Sequence, residues 1–484
     1  MRGGRAPSLL PAMAILTHRK RIPWIWAFLI SFPWVSSNLL ERISTEPLTF
    51  TLRKFIDDPG LIALLASVNI LFNFMVGVGT AYLSDHLWTS WGRRKPFLIA
   101  SFGSAGLMLA IVPIVGNVWI LALTIVVYQF FVDFGKPWEP LYNEVVPPKQ
   151  RGRTGIFRMM LSNLGALFFS TVLIGQFDHV YSVQTPFGAL SGEQVLYWSC
   201  SLLMIATALF LGMFVKETLA PRDPDDPEGV LHPTRYRFLH WLGRREKGWR
   251  VVTGLFAAMF GDRQNLWIFV LYLCPVLATS VVGANQVLFL TDQLGLSKAD
   301  LGKLHALTMP FMVFAFTPLA GVLADRISRL VMMRVGIGVP ALIQFGFFLY
   351  LRFSVDYQPT FALLVGVGIL TSFFQSWLWA VWGPVVYDYI PSNRMGTCVA
   401  GITFTAGVAG FLLINLGGLW VKGWTAVLGP SGRGTFDYSS ILVLNLVMAA
   451  VAVAVTALFE FAVRRGWVRP EGRLEIAELP NGAE

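Results

Sequence analysis

The sequence predicts an all-α membrane protein in which twelve transmembrane helices form two pseudo-symmetric bundles of six. Three observations predict this fold class: the apolar composition, twelve apolar stretches of spanning length, and a repeated motif in the two halves. Of the 484 residues, 55% are hydrophobic and 14% are charged, and the mean hydropathy is +0.60. Soluble domains carry about 25% charged residues, so this composition excludes a soluble protein. Three cysteines also exclude a disulfide scaffold.

Apolar stretches long enough for one bilayer crossing, about 20 residues, recur along the whole chain. Six precede and six follow a polar segment that is rich in Arg and Pro. The predicted spans cover residues 22–42, 60–83, 96–115, 117–141, 154–176, 193–215, 266–291, 304–324, 331–352, 358–387, 396–421 and 438–462. Each span is expected to be helical, because lipid offers the backbone no hydrogen-bond partner.

The spans predict four regions along the chain. They are an N-terminal six-helix bundle (1–215), a cytoplasmic linker (216–265), a C-terminal six-helix bundle (266–465) and a cytoplasmic tail (466–484). The linker mixes apolar and basic residues between Tyr236 and Gln264, which predicts an amphipathic helix on the inner membrane surface. That helix either tethers the two bundles or regulates them. No small-residue cleavage site follows the first span, so an uncleaved first helix is expected.

Lys and Arg are distributed unevenly between the two sides of the membrane. With a cytoplasmic N-terminus, 28 of the 38 lie in predicted inner segments and 8 in outer ones. By the positive-inside rule, this asymmetry places both termini and the linker in the cytoplasm. It also accounts for the net charge of +10 without a nucleic-acid partner. We therefore predict a monomeric, multi-pass protein of the cytoplasmic (inner) membrane, with membrane lipid and a small-molecule substrate as its partners.

The fourth spans of the two halves end in similar sequences. Two parallel six-helix repeats are typical of transporters that work by alternating access, with the substrate site between the repeats near the middle of the bilayer. Five residue pairs share an offset of 244 positions: Trp138 and Trp382, Pro140 and Pro384, Glu144 and Asp388, Pro147 and Pro391, and Gly152 and Gly396.

The loop from Asp85 to Pro96 is the most specific motif in the chain. An acid at the inner end of one helix can pair with arginines and with the positive N-terminal end of a neighbouring helix. Such a contact can close the inner side in one state and break in the other. The alternative is that these charges only fix the membrane topology. The predicted gating residues are Asp85, Gly92, Arg93, Arg94, Glu144, Asp325, Arg326 and Asp388.

This loop resembles the signature of the major facilitator superfamily, in the version found in the glycoside–pentoside–hexuronide:cation symporters and the sucrose transporters. The resemblance covers the whole chain as topology, and in sequence it rests on residues 77–97 and 128–165. The second stretch contains Asp133, Trp138 and Arg158. The resemblance implies that Asp133 and Arg158 bind a sugar and that Asp133 also carries the coupling cation.

The chain departs from that family pattern at the cation site. Counting back from Gly92, the two acids on the second helix fall on Asn73 and Gly77, and Glu41 lies at the outer end of the first span. Hard cations prefer several oxygen ligands that include carboxylates, and Asn73 supplies only a neutral oxygen. Proton coupling or simple facilitation is therefore favoured over sodium coupling, and no metal or other cofactor is predicted.

Asp133, Lys136 and Glu139 are spaced three residues apart in the fourth span, so they lie along one helix face. Charges within a span usually face a cavity or one another. One interpretation is that Asp133 carries the proton and is assisted by Lys136 and Glu139. The other is a self-neutralised triad that packs the helix. Arg158 has an alternative as well, since an arginine near a helix end can extend to the membrane surface.

Further candidates for sugar binding lie on three other spans. Indole rings can stack on the C–H faces of a pyranose, and amides can bridge hydroxyl groups. The alternatives are an interfacial aromatic belt for the tryptophans and helix–helix hydrogen bonds for Asn73. In addition to Asp133 and Arg158, the predicted substrate contacts are Trp379, Gln375, Asn73, Asn285, Gln286 and Trp138.

Motifs for other chemistry are missing from the sequence. It contains no HExxH, no GxSxG with triad partners and no Walker-type glycine-rich loop, so an enzyme is not expected. The predicted function is secondary active transport of a sugar or glycoside by alternating access, with a proton as the coupling ion. The alternatives are a facilitator for a drug or organic anion, and a transporter-derived membrane sensor.

Overall fold

A computed structural model describes residues 24–77, 80, 84, 91–92, 94–135, 137–138, 141, 151–215, 257, 260–324, 326–354, 359–390, 395–430 and 435–468. Most of the predicted linker helix and of the C-terminal tail lies outside these ranges, except residues 257, 260–264 and 466–468. Arg158 lies within a described helix, but its side chain is outside the described set. Six predicted site residues also lie outside: Asp85, Arg93, Lys136, Glu139, Glu144 and Asp325.

Six helical segments form the first half of the chain. The first, α1, has three pieces, because proline lacks a backbone N–H and fits best in the first turn of a helix. Pro33 and Pro47 each begin a new piece. The segments are α1 (Trp24–Ser31, Pro33–Thr45 and Pro47–Arg53), α2 (Pro59–Phe72 and a π-helical turn, Asn73–Gly77), α3 (Lys95–Ile111 and a 3-10 turn, Val112–Ile114), α4 (Val118–Val132 and a 3-10 turn, Asp133–Gly135), α5 (Arg151–Phe168, Phe169–Leu173 and Ile174–Gln176) and α6 (Gly192–Phe214).

A β-hairpin joins α5 to α6, and the sequence analysis did not predict it. Strands β1 (Val180–Thr185) and β2 (Gly188–Ser191) pair antiparallel, with Thr185 opposite Gly188. Gly188 has a φ of 107°, which favours glycine after the two-residue turn. At the end of the hairpin, Ser191 forms a capping box with Gln194 and starts α6.

Six further helical segments form the second half. The break within α7 lies at Gly283, whose φ of 34° departs from helical geometry. The segments are α7 (Arg263–Ser280, Gly283–Leu288 and Phe289–Gln293), α8 (Lys298–Pro310, Phe311–Phe316 and Thr317–Ala324), α9 (Arg329–Phe353), α10 (Phe361–Tyr387), α11 (Met395–Leu428) and α12 (Ser440–Arg464).

The predicted fold class is confirmed, because a helical segment coincides with each predicted span. Among the described residues, nine helices are long and apolar enough to cross a bilayer, and shorter apolar helices lie within α2 (Pro59–Val68) and α5 (Met160–Gln176). Some ends differ from the prediction. α1 continues past residue 42 to Arg53, α8 begins at Lys298 instead of 304, and α11 continues past 421 to Leu428. The charged residues next to these predicted ends, Arg42, Lys303 and Lys422, lie within the helices instead.

The two halves pack directly against each other at one end of the bundle. We call this the outer end; it carries the α1–α2, α5–α6, α7–α8 and α11–α12 connections, which the charge distribution assigns to the outside. The larger apolar core contains Leu48 and Leu173 from the first half and Leu301 from the second. A Cβ built on Gly302 of α8 would lie 3.0 Å from the Cα of Gly175 in α5. Because both residues are glycines, the backbones of the two halves touch there.

Candidate functional site

Asp133 lies where α4 changes from an α-helix into a 3-10 turn. The residue is 2% exposed. Its backbone carbonyl accepts a hydrogen bond from the hydroxyl of Thr80, which follows α2, at 3.2 Å. Ser101 of α3 donates to the neighbouring carbonyl of Val132 at 3.4 Å. Asp133 is therefore enclosed by protein between α2, α3 and α4 and does not face lipid.

The end of α2 packs against the turn that holds Asp133. The π-helical turn Asn73–Gly77 contacts the segment Asp133–Gly135, and single π-helical turns are frequent at functional sites. Asn73 Oδ1 is buried and has no hydrogen-bond partner. The structure thus brings together two predicted site residues from different spans, Asn73 and Asp133. Lys136, Glu139 and the side chain of Arg158 lie outside the described set.

Several buried side-chain nitrogen and oxygen atoms without hydrogen-bond partners lie on or next to α2, α4, α7 and α10. A buried polar atom that is left unsatisfied costs about 1–3 kcal/mol. These atoms therefore gain free energy when water or a ligand reaches them. We call six of the residues concerned, all with uncharged side chains, the neutral polar set: Asn73, Trp138, Asn285, Thr371, Trp377 and Trp382. Thr371, Trp377 and Trp382 are not among the predicted substrate contacts, and one threonine in an apolar span carries no distinctive pattern.

One face of α10 carries most of the candidate side chains of the second half. Thr371, Gln375, Trp379 and Trp382 follow each other at intervals of three or four residues, which places them on the same face. Trp379 is 46% exposed, and its ring centroid lies 5.2 Å from that of Trp382. The Trp382 ring lies 4.9 Å from that of Tyr272 in α7. An accessible indole is thus supported by two further rings, while Gln375 is half-buried one turn away.

The neighbouring amides Asn285 and Gln286 on α7 have different surroundings. Asn285 is fully buried, and a Cβ built on Gly417 of α11 would lie 3.1 Å from its Nδ2. Gln286 is exposed. Consecutive helical residues point about 100° apart at 3.6 residues per turn, so the two amides do not share one surface. Asn285 belongs to the neutral polar set and Gln286 does not.

The described residues of the predicted inner gate are held mainly by contacts within each half. Gly92 has a φ of 116°, a conformation that favours glycine. Arg94, at 6% exposure, precedes α3, and its neighbour Lys95 donates from Nζ to the carbonyl of Gly212 in α6 at 2.9 Å. These contacts fix the start of α3 against α6.

In the second half, the predicted gate acid Asp388 pairs with an arginine that is not among the predicted gating residues. Asp388, after α10, accepts hydrogen bonds from Arg329 Nη1 of α9 at 2.9 and 2.8 Å. Arg326 is exposed, and Asp325 lies outside the described residues. The pair therefore links the neighbouring helices α9 and α10 of the same half.

Ion pairs join the two halves at the outer end, and the sequence analysis did not predict them as functional. Arg53 Nε of α1 lies 2.7 Å from Asp292 Oδ2 of α7. Lys422 Nζ of α11 lies 2.6 Å from Oδ2 of Asp58, in the α1–α2 connection. The Lys422 ammonium donates a hydrogen bond to this carboxylate and lowers the pKa of Asp58 below its ordinary value. A third pair connects Lys298 of α8 with Asp178, which follows α5.

The sequence does contain a signal for these contacts. Acidic residues follow α1 and α5 in the first half, and lysines lie at the outer ends of α8 and α11 in the second. Opposite charges at matching ends of two repeats predict contacts between them, but counting Lys and Arg alone, as the positive-inside rule does, leaves the acids out. These pairs and the glycine contact hold the two halves together at the end of the bundle that we call the outer end.

Comparison with known proteins places this geometry in a known fold. A family model described as Major Facilitator Superfamily matches residues 25–354. The structure is similar to one described as an auto inhibited POT family peptide transporter, with a TM-score of 0.64. It is also similar to that of a D-xylose-proton symporter, with a TM-score of 0.56. In each case the sequence identity is 15%, and the match covers 92% of this chain and 97% of the other. At this identity the likeness concerns the fold alone. No match was found among curated protein sequences.

Proposed function

Because the chain belongs to the major facilitator superfamily, we propose that it is a secondary active transporter that moves a sugar or glycoside across the cytoplasmic membrane by alternating access, with a proton as the coupling ion. The observation that carries the sugar assignment is the neutral polar set together with the exposed indole of Trp379. Ligand sites commonly combine apolar walls with a few polar groups that fix orientation. The described helices α2, α7 and α10 supply both.

The chemistry of these side chains suits a neutral, hydroxylated ligand. The indole N–H groups of Trp138, Trp377 and Trp382 donate to hydroxyl oxygens, and the amide oxygen of Asn73 accepts from a hydroxyl. Trp379 offers a ring face to the C–H side of a pyranose, and Gln375 lies one turn from it. Because the neutral polar set supplies no charge, a charged substrate would need its opposite charge from another part of the site, such as Asp133 or Arg158.

Asp133 is proposed as the proton carrier. A carboxylate enclosed by protein within the membrane is costly, and protonation removes that cost. The π-helical turn with Asn73 packs against the segment of Asp133, so a change at the carboxyl is transmitted directly to a proposed sugar contact. Asp133 is proposed to be assisted by Arg158, Lys136 and Glu139. Gln286 is proposed to bind the substrate. The proposed inner gate combines charged residues from both halves: Asp85, Arg93, Arg94 and Glu144 from the first, and Asp325, Arg326 and Asp388 from the second.

The closed outer side suggests how the cycle proceeds. With Arg53, Asp58 and Lys298 engaged by the opposite half, substrate exchange occurs from the inner side. Opening the outer side requires these pairs and the glycine contact to separate, after which the two halves rock about the central site. The similar structure described as a D-xylose-proton symporter is consistent with a sugar substrate and a proton, but at 15% identity its likeness concerns the fold alone.

The experiment is uptake of a panel of labelled mono- and disaccharides, with labelled organic anions alongside, in proteoliposomes with and without a pH gradient. We expect at least one sugar to accumulate only when the gradient is present. Asp133→Asn should abolish accumulation while sugar exchange without a gradient continues. Asp300→Asn is the matched control, because the Asp300 carboxylate contacts only Lys303 of its own helix and the N-cap residue Ser297 among the described residues. Transport of anions but no sugar, or full accumulation by Asp133→Asn, would contradict the proposal.

A further inference from the structure

Glu46 and His305 face each other across the two halves of the molecule. Glu46 lies in α1 between Pro33–Thr45 and Pro47–Arg53, and its side chain is 10% exposed. His305 lies in α8, and its side chain is 18% exposed. The distance from Glu46 Oε2 to His305 Nδ1 is 3.9 Å. Both of these atoms are buried without a hydrogen-bond partner.

The pair lies at a defined depth below the outer ion pairs. Glu46 precedes Arg53 by seven residues, and His305 follows Lys298 by seven. At 1.5 Å per helical residue, each is about 10 Å inward from the ion pair on its own helix. The contact therefore lies within the interface that must open when the outer side opens.

One proton would satisfy both atoms. At 3.9 Å the two atoms are too far apart for a hydrogen bond, and each one carries the cost of an unsatisfied buried group. A protonated imidazole donates from Nδ1 to the carboxylate, and a protonated carboxyl donates to a neutral Nδ1; both arrangements contain the same single added proton. The first of these bonds is charge-assisted and about 2.7–2.9 Å long, which is about 1 Å shorter than the 3.9 Å that now separates the two atoms.

The other titratable groups on the elements around this pair are already engaged or lie at a distance along the chain. On α1, Arg42 lies one turn before Glu46 next to Glu41, whose side chain is outside the described set. In α5, residues 160–176 include no ionisable side chain, and the three arginines of this helix lie toward its inner end, at Arg151, Arg153 and Arg158. In α10 the one ionisable residue is Tyr387, which also lies at the inner end. The other groups near the pair are Arg53 with Asp292 and Asp57, Lys298 with Asp178, Lys303 with Asp300, Lys54 with Glu193, Tyr197 with Thr51, and Tyr128 with the carbonyl of Leu40.

We propose that Glu46 and His305 form a second proton-binding site, separate from Asp133, which couples proton uptake from the outside to closure of the outer side. When the outer side is open, the two groups lie on separated surfaces and exchange protons with the external solution. When a proton is bound, the hydrogen bond between them joins the halves and favours closure. This inference rests on the proposed transport function for its role in the cycle, but the pH-dependent closure itself does not require a known substrate.

The experiment measures closure directly with a spin label on each half. The three native cysteines, all of them buried, are replaced, and labels are attached through Phe55→Cys and Val427→Cys, at positions that are 39% and 81% exposed at the outer end. Distance distributions between the labels are recorded in lipid nanodiscs from pH 5 to pH 8. If one proton is bound in the closed form only, the closed-to-open ratio rises by up to about tenfold for each unit by which pH falls. Glu46→Gln and His305→Gln should each remove the part of this pH dependence that the pair contributes, so that the ratio changes less with pH than in the wild type.

The controls separate this inference from other causes. His179→Gln changes the exposed histidine of the hairpin and should keep the wild-type pH response. The exchange variant Glu46→His with His305→Glu should restore it, which also shows that the altered site folds. A wild-type pH response in both single variants would overturn the inference even if sugar and protons are transported. Conversely, both single variants could lose the pH response while the wild-type protein transports no sugar. That result would support the proton site at Glu46 and His305 and would refute the proposed substrate.

Discussion

Gly418 of α11 lies so close to Gly60 of α2 that a Cβ built on Gly418 would be 2.9 Å from the Gly60 Cα. The same Cβ would lie 3.0 Å from the backbone oxygen of Pro59. Both neighbours are backbone atoms, so no rotamer change can make room for a side chain. The outer closure therefore depends on two glycine contacts between the halves, this one and that of Gly175 with Gly302.

We expect Gly418→Leu to hold the outer side open. The added side chain cannot fit between α2 and α11, and since the contact is between halves, each half can keep its own packing. Spin labels on Phe55→Cys and Val427→Cys should report a longer mean distance, and net sugar uptake should fall by at least about tenfold. Gly423→Leu on the same helix is the control, because a Cβ built there meets nothing within 4 Å. Equal distances in the two variants would show that Gly418 does not limit closure.

The pair formed by Asp58 and Lys422 should stabilise closure only modestly. Both side chains are 42% exposed, and exposed ion pairs contribute about 0.2–1 kcal/mol. Asp58→Lys should lower the closed-to-open ratio by about two- to fivefold or more, and adding Lys422→Asp should restore most of it. Raising the salt concentration should weaken the wild-type closure in the same direction. A ratio that is unchanged by Asp58→Lys would exclude a gating role for this pair.

The pH dependence of that contribution follows from the direction of the pKa shift. In the closed form, the Lys422 ammonium lowers the pKa of Asp58 below its ordinary value of 3.8. A lowered carboxyl pKa contributes stability that is fully present above the ordinary value and lost as pH falls through the lowered value. Between pH 5 and pH 8 the contribution of Asp58 should therefore stay constant. Any change in closure across that interval, followed with the same labels, must come from another group, such as Glu46 with His305.

Trp379 should contribute to the affinity for sugar. Trp379→Ala removes an exposed ring supported by Trp382, and ring contacts are worth about 0.5–1.5 kcal/mol beyond buried area. We expect the half-saturation concentration to rise by about two- to tenfold, with a smaller rise for Trp379→Phe. Trp119→Ala is the control, since Trp119 is 80% exposed at the outer end of α4 and fits an interfacial position. Equal effects of the two alanine variants would assign Trp379 to the same membrane-facing role.

The sequence predicted the helices well because each span is a local pattern. Apolar stretches and the repeat at Trp138 and Trp382 are visible within short segments, and the structure has a helix for each. The contacts between halves are not local: Arg53 pairs with a residue 239 positions away, and Asp58 with one 364 positions away. A hydropathy pattern treats those charges as the ends of spans. It carries no information about which charge on the other half they meet.

The same reason explains the outcome for the candidate site. Asn73 and Trp382 stand out in sequence as a polar residue and an aromatic residue within spans, and in the structure each has one buried side-chain atom without a hydrogen-bond partner. His305, by contrast, belongs to no motif in the sequence. Its relationship to Glu46 depends on how α1 and α8 pack, and also on the break at Pro47, which extends α1 beyond its predicted end.

The contact between Arg329 and Asp388 tests whether the second half of the inner motif acts as a gate or as an anchor. Both residues belong to the second half, and their side chains are 34% and 35% exposed. Breaking a contact within one half does not separate the halves, so we expect an anchor. Arg329→Gln should cost about 1 kcal/mol, which corresponds to a fall in Tm of about 2–4 °C, while the rate of sugar exchange stays near that of the wild type.

A double-mutant cycle completes this experiment. In the Asp388→Asn background, Arg329→Gln should lower Tm by less than it does alone, because the partner charge has already been removed. Arg326→Gln is the control, since Arg326 is exposed and should leave both Tm and exchange unchanged. If Arg329→Gln instead leaves Tm unchanged and slows exchange several-fold, the pair regulates the movement of α9 and α10 during the cycle. The gate interpretation of this motif would then replace the anchor, because only a contact that forms and breaks in each cycle can change the rate without changing the stability.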